Sequence, residues 1–143
     1  MTVTQSIDRK YDIIVWGASG FTGRIVVDYL HKEYGSGNLS WAVAGRNPAK
    51  LKSVVGQRDI PILTADSHDS ESLNQLVQQT KVILTTVGPY ARYGSELVAA
   101  CARHGTHYCD LTGESLWMRE MITAHQHTAR DSGARIVHTC GFD

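Results

Sequence analysis

Residues 11–30 read YDIIVWGASGFTGRIVVDYL, and the glycines at 17, 20 and 23 decide how the rest of the chain is understood. A short β-branched run, DIIVWG, ends at Gly17 and reads as a strand. The run that follows, FTGRIVVDYLHKEY, places Phe21, Ile25, Val26, Tyr29 and Leu30 at helical spacing, and Gly35 lies beyond it as a stop. Glycine weakens regular structure relative to alanine, so three of them at a strand-to-helix junction call for a compensating role. In that context the first permits a sharp turn, the second lets the backbone approach a pyrophosphate, and the third lets the helix pack closely on the strand. Unsatisfied amides at the helix start, with the positive end of its dipole, then receive phosphate. The spacing is GxxGxxG. A Walker-type loop is disfavoured, because Gly23 is followed by Arg24 and no GK[ST] is present.

Outward from this junction, β-branched runs alternate with helix-like ones. SWAVAG, IPILTA, KVILTTVG, THYCDL and RIVHTC read as further strands. Between them, Asn47 and Pro48 open the helix AKLKSVV as cap and first-turn pair. Asp69 or Ser70 caps SESLNQLVQQ, Gly105 closes SELVAACARH, and Gly133 ends ESLWMREMITAHQHTARDS. Six strands joined by helical crossovers imply an α/β fold with a parallel sheet and helices on both faces. Alternation alone also fits a flavodoxin-like order. The glycines favour the doubly wound Rossmann order 3-2-1-4-5-6.

The second strand speaks to the cofactor. NAD-preferring sites usually place Asp or Glu about 20 residues past the glycines to hold the ribose 2′-hydroxyl. Here Gly45, Arg46 and Asn47 fill that position. A guanidinium holds a 2′-phosphate through paired, charge-assisted bonds, so Arg46, with Lys50 one turn on, points to NADP(H). Asp66 follows the third strand and is a candidate acceptor for the adenine amino group. TTVGPYARYG ends the fourth strand at the topological switch point. Gly88 and Pro89 shape that loop, and Tyr90 and Tyr93 are candidates to contact nicotinamide or substrate, or to pack.

Composition narrows the classes. In 143 residues, 14 basic side chains balance 14 acidic ones, which argues against a nucleic-acid footprint. No apolar run approaches the roughly 20 residues a membrane span needs, and the leader MTVTQSIDRK lacks a signal-peptide core. Three cysteines without CxxC spacing make a disulfide framework improbable, so a cytoplasmic setting is expected. No metal site is expected: Gly105 separates His104 from His107, and His125 and His127 point to different faces of one helix. Cys140 lies near the cleft mouth without a partner base and is expected to be a buried, inert thiol. No tyrosine has a lysine four residues on, so the Tyr-xxx-Lys pair of short-chain dehydrogenases is absent from this stretch. The chain stops at CGFD with no polar tail. It is expected to be the N-terminal part, residues 1–143, of a longer protein.

Taken in order, VWGASGFTGR, AGRNPAKL, VGPYARYG, ACARHGTHYCDLTGE and CGFD resemble the saccharopine dehydrogenase-like oxidoreductases. Within that group the pattern is most similar to the trans-acting enoyl reductases and their counterparts in animals. The match runs from about Tyr11 to Asp143. The resemblance implies an N-terminal NADP-binding domain and a C-terminal substrate domain that also carries a homodimer contact. Carried over by residue, the nucleotide loop falls on Gly17, Ser19, Gly20, Phe21, Thr22 and Gly23, and the 2′-phosphate position on Arg46. The nicotinamide-side loop falls on Val87, Gly88, Pro89 and Tyr90, and the segment Asp110 to Glu114 is expected beside the cleft. No catalytic residue is carried over. The implied activity is hydride transfer with an unsaturated or imine-type small molecule or lipid. A non-catalytic NADP(H) sensor or scaffold is the alternative.

Overall fold

The computed structural model describes residues 8–141; Phe142 and Asp143 of the CGFD segment, and most of the leader, lie outside them. Six strands form one parallel sheet in the order β3-β2-β1-β4-β5-β6. They are β1 (Tyr11–Trp16), β2 (Trp41–Gly45), β3 (Ile62–Thr64), β4 (Thr80–Thr85), β5 (His107–Cys109) and β6 (Ile136–Val137). The helices are α1 (Phe21–Tyr34), α2 (Pro48–Val55), α3 (Ser70–Val77), α4 (Tyr90–Tyr93), α5 (Ser95–His104) and α6 (Ser115–Ser132). This is the doubly wound order expected from the sequence.

Alternation along the central strands feeds two cores. Ile14 and Trp16 of β1 and Ala42 and Ala44 of β2 face α3, α5 and α6, where they meet Leu73, Leu76, Leu97 and Trp117. Val15, Trp41 and Val43 face the other way, onto Val27 and Leu30 of α1 and Leu51, Val54 and Val55 of α2. Because both faces are covered, every residue of β2 is buried, as a central parallel strand requires. Local chemistry sets the helix ends. Asn47 Oδ1 accepts the Lys50 amide at 3.1 Å ahead of Pro48, and Asp69 Oδ1 accepts the Glu71 and Ser72 amides. Gly105 and Gly133 adopt left-handed geometry at the ends of α5 and α6.

The buried row of α1 keeps Leu30 of the expected one, with Val26 half-buried against the same core, but otherwise differs. Gly23, Val27 and Leu30 face the sheet, whereas Phe21, Ile25 and Tyr29 are exposed. Gly23 decides this, since only a residue without a side chain can lie against the turn at Gly17 and Ala18. The short α4 is an element that the sequence pattern does not reveal. The two edge strands, β3 and β6, are shorter than the apolar runs that announce them.

Candidate functional site

The strand-to-helix turn after β1 is built by two glycines with different tasks. Gly17 has φ +83°, and a Cβ there would overlap the side chain of Val87. At Gly23 a Cβ would overlap the carbonyl oxygen of Gly17 and come within 2.8 Å of Ala18 Cα, so α1 can begin this close to β1 only with glycine. Gly20 has neither constraint: its φ is −76° and an added Cβ would reach Gly17 O at an ordinary 3.5 Å. Its bareness leaves the space in front of the helix open. The Gly20 amide donates to Gly17 O at 3.1 Å, and Arg24 Nε donates to Ser19 O at 3.1 Å, closing the turn on itself.

No side chain caps α1, and the N–H groups of Phe21, Thr22 and Gly23 find no acceptor among the described residues. Three amides at the positive end of a 14-residue helix are therefore left without a partner among the described residues. Phe21, 85% exposed, stands at that end.

Beside the turn lies a cavity lined by Gly17, Ser19, Arg46, Asp66 and Val87, with Trp16 also in its wall. The β2 end supplies Arg46, which is exposed and makes no hydrogen bond or ion pair among the described residues. Lys50, one turn into α2, is not part of the lining. Asp66 Oδ1 accepts the His68 amide at 2.8 Å, while the Asp66 amide donates to Ser72 Oγ at 3.1 Å. The Trp16 indole N–H is buried without a partner among the described residues. These features fit a dinucleotide carrying a 2′-phosphate: open amides for a pyrophosphate, bare backbone in front of them, and an unpaired guanidinium at the end of β2. A second cavity of similar size, lined by His125 and His138 between α5, α6 and β6, lies away from the glycine turn.

The loop after β4 carries Val87, Gly88 and Pro89, the last two exposed and joined by a cis peptide bond. Tyr90 turns inward. Its hydroxyl donates to Thr85 O at 3.3 Å, its ring packs 5.6 Å from that of Trp117, and the residue is buried. Burial pushes its phenol up to about 12. It is thus a packing residue whose backbone, not its hydroxyl, borders the loop.

The segment Asp110 to Glu114 supports this region from behind. Glu114 accepts the Tyr90 amide on Oε2 at 2.6 Å and the Ala91 amide on Oε1 at 3.1 Å, capping α4 from another loop. Asp110 is buried, and both its oxygens are in use. Oδ2 accepts from Tyr108 Oη at 2.7 Å and His138 Nδ1 at 2.8 Å, and Oδ1 from the amides of Thr112 at 3.1 Å and Thr139 at 3.0 Å. Burial alone would raise its pKa; the four donors outweigh it and hold the carboxyl below the ordinary value. Neither acid is visible as a supporting residue from spacing alone. The only signal is the density of polar residues in DLTGE at a strand end. Cys140, expected to be buried, is exposed, because the chain turns outward at Thr139 (φ +63°).

Comparison with known proteins agrees with this geometry. Residues 13–137 match the family described as the saccharopine dehydrogenase NADP binding domain. A trans-acting enoyl reductase of Mycobacterium ulcerans is 43% identical over 143 residues, covering 96% of this chain and 34% of that protein. One of Mycobacterium leprae is 41% identical over 140 residues, covering 94% of this chain and 33% of that protein. The chain thus spans about a third of the length of these relatives. Among solved structures, saccharopine dehydrogenase (L-Glu forming) from Saccharomyces cerevisiae superposes with a TM-score of 0.74 at 18% identity, over 92% of this chain and 27% of that one. Triphenylmethane reductase of Citrobacter sp., solved with NADP(H), gives a TM-score of 0.67 at 19% identity, over 89% of this chain and 48% of that one.

Proposed function

We propose, from the premise that the chain belongs to the saccharopine dehydrogenase NADP binding domain family, that it is the nucleotide-binding part of a longer NADP-dependent oxidoreductase. The observation that supports this best is the pairing of an open helix start, framed by Gly17 and Gly23, with the unpaired Arg46 beside it. In this reading the amides of Phe21, Thr22 and Gly23 hold the pyrophosphate, Ser19 and Gly20 border it, and Arg46 holds the 2′-phosphate. Asp66 faces the adenine end, and the backbone of Val87, Gly88, Pro89 and Tyr90 forms the nicotinamide-side wall. The bound nicotinamide supplies the hydride chemistry. The relatives' name, enoyl reductase, supports an unsaturated acceptor; we extend the proposal to a small-molecule or lipid acceptor of that type, with an imine as the other candidate. Substrate contacts and a homodimer contact belong, in this reading, to the part of the longer relatives that this chain does not match. Tyr90 is given no proton-transfer role, because its hydroxyl is engaged inward.

Calorimetric titration with NADPH and NADH, for wild type and Arg46→Ala, tests the reading. Tighter NADPH binding that largely disappears in the variant supports it. A preference for NADH, or an unchanged preference in the variant, overturns the role of Arg46. A chain that binds neither nucleotide overturns the function.

A further inference from the structure

The cavity beside the glycine turn has an aromatic side. His68, in the loop after β3, and Tyr93, the last residue of α4, both line it. Their ring centroids are 5.8 Å apart with a 42° tilt. The Arg92 guanidinium lies 5.3 Å over the other ring neighbour, Tyr93, and helps to fix it. His68 is held from its own backbone, through the amide bonded to Asp66 Oδ1. The loop after β3 and the end of α4 thus bring two flat rings to one wall.

The cavity is about 210 Å³, below the roughly 300–1,000 Å³ of sites that enclose a drug-sized ligand. It suits one end of a dinucleotide, not the whole. Arg46 lines the same space, and a 2′-phosphate sits on the adenosine ribose, one sugar away from the base. The cavity lies at the ends of β1, β2 and β3, and the end of α4 adds Tyr93 to its wall.

We infer that the His68–Tyr93 ring pair is the stacking wall for the adenine base, and that these two side chains, with Asp66, select the base at this end of the nucleotide. This rests on the NADP-binding reading. A purine face laid on the pair gains stacking energy without requiring new polar partners. Asp66 keeps one carboxylate oxygen, Oδ2, that no described residue uses, and it can accept from the 6-amino group.

The test uses adenosine 2′,5′-bisphosphate, which carries the base and the 2′-phosphate, and inorganic pyrophosphate, which reaches the glycine turn but has no base. Trp16, in the cavity wall, reports binding by fluorescence. His68→Ala and Tyr93→Ala are each expected to weaken the bisphosphate about fivefold or more. Tyr93→Phe, which keeps the ring, restores binding, and the inhibition constant of pyrophosphate, corrected for each variant's NADPH affinity, is unchanged in all three. If His68→Ala and Tyr93→Ala bind the bisphosphate as wild type does while Arg46→Ala loses it, the stacking wall is refuted and the NADP reading stands. Equal weakening of pyrophosphate also refutes it, since the rings would then only be holding the loops. If wild type binds neither NADPH nor the bisphosphate, the underlying reading fails with it.

Discussion

Replacing Asp110 by alanine tests whether the DLTGE segment is the internal brace that its hydrogen bonds describe. The substitution removes an acceptor from Tyr108 Oη, His138 Nδ1 and the amides of Thr112 and Thr139. A buried donor left without a partner costs about 1–3 kcal/mol. Tyr108, the His138 side chain and the Thr112 amide are buried, and the Thr139 amide is partly so, which leaves room for water to reach it. A loss of roughly 3–6 kcal/mol follows, a large fraction of the 5–15 kcal/mol typical of a domain. Asp110→Asn should cost less, about 1–3 kcal/mol, because the His138 tautomer it requires puts a proton on Nε2, which is buried without a partner among the described residues. The asparagine oxygen still serves both amides, and its NH₂ faces a hydroxyl that can rotate and an imidazole that can change tautomer, so both can accept. Urea unfolding at pH 7, followed by far-UV circular dichroism, measures both variants. An alanine variant within about 1 kcal/mol of wild type, or an asparagine variant as damaged as alanine, refutes the reasoning. Acid adds a check on sign. A carboxyl held below its unfolded value of about 3.9 stabilises fully above that pH and loses its effect as pH falls through the folded value. The margin of wild type over Asp110→Asn should therefore shrink below about pH 4.

Two further outcomes separate the glycines and the histidines. Gly23→Ala should destabilise by about 1–3 kcal/mol, since its Cβ meets backbone that cannot yield without moving α1. Gly20→Ala should leave thermal stability nearly unchanged yet weaken NADPH binding; equal melting temperatures for the two variants would contradict the division of tasks. His104, His107 and His125 are all held below the usual imidazole value, chiefly by burial and then by neighbouring arginines. The unfolded chain therefore takes up protons first, and stability should fall as pH drops through about 6.5. His107 Nδ1 also accepts the Arg135 amide at 3.0 Å, a bond that protonation removes. A melting temperature that is flat from pH 7.5 to 5.5 would show that these rings are not shielded.

The fold was legible because its signals are local. β-branched runs, the Asn47–Pro48 and Asp69 caps, and Gly105 and Gly133 each act within a few residues of themselves and imply the alternation of strands and helices; the glycines at 17, 20 and 23 then select the strand order. The facing of α1 was not legible in the same way. Phe21, Ile25 and Tyr29 satisfy helical spacing with Leu30 as well as Gly23 and Val27 do. The choice between the two rows depends on a contact between Gly23 and Gly17 that exists only after the turn has formed. The glycines and Arg46 of the candidate site were readable from motif and register. His68 and Tyr93 were not readable as a pair, because they lie 25 positions apart, one on the loop after β3 and one at the end of α4, which only the sheet order brings together. The tasks of Asp110 and Glu114 were hidden for the same reason: their partners lie on other loops. Cys140 reads as an apolar residue after a strand, and the turn that exposes it leaves no local mark.

Glu114 grips two consecutive amides at the start of α4, and it stands at the start of α6. The loop after β4 and the loop after β5 are therefore one mechanical unit. An inserted or deleted residue in either would pull the carboxylate off register with both amides at once, and compensation in the other loop would be needed to restore it. Variation in the two loops should be paired, so grafting a new nicotinamide-side loop onto this scaffold means transplanting both segments together.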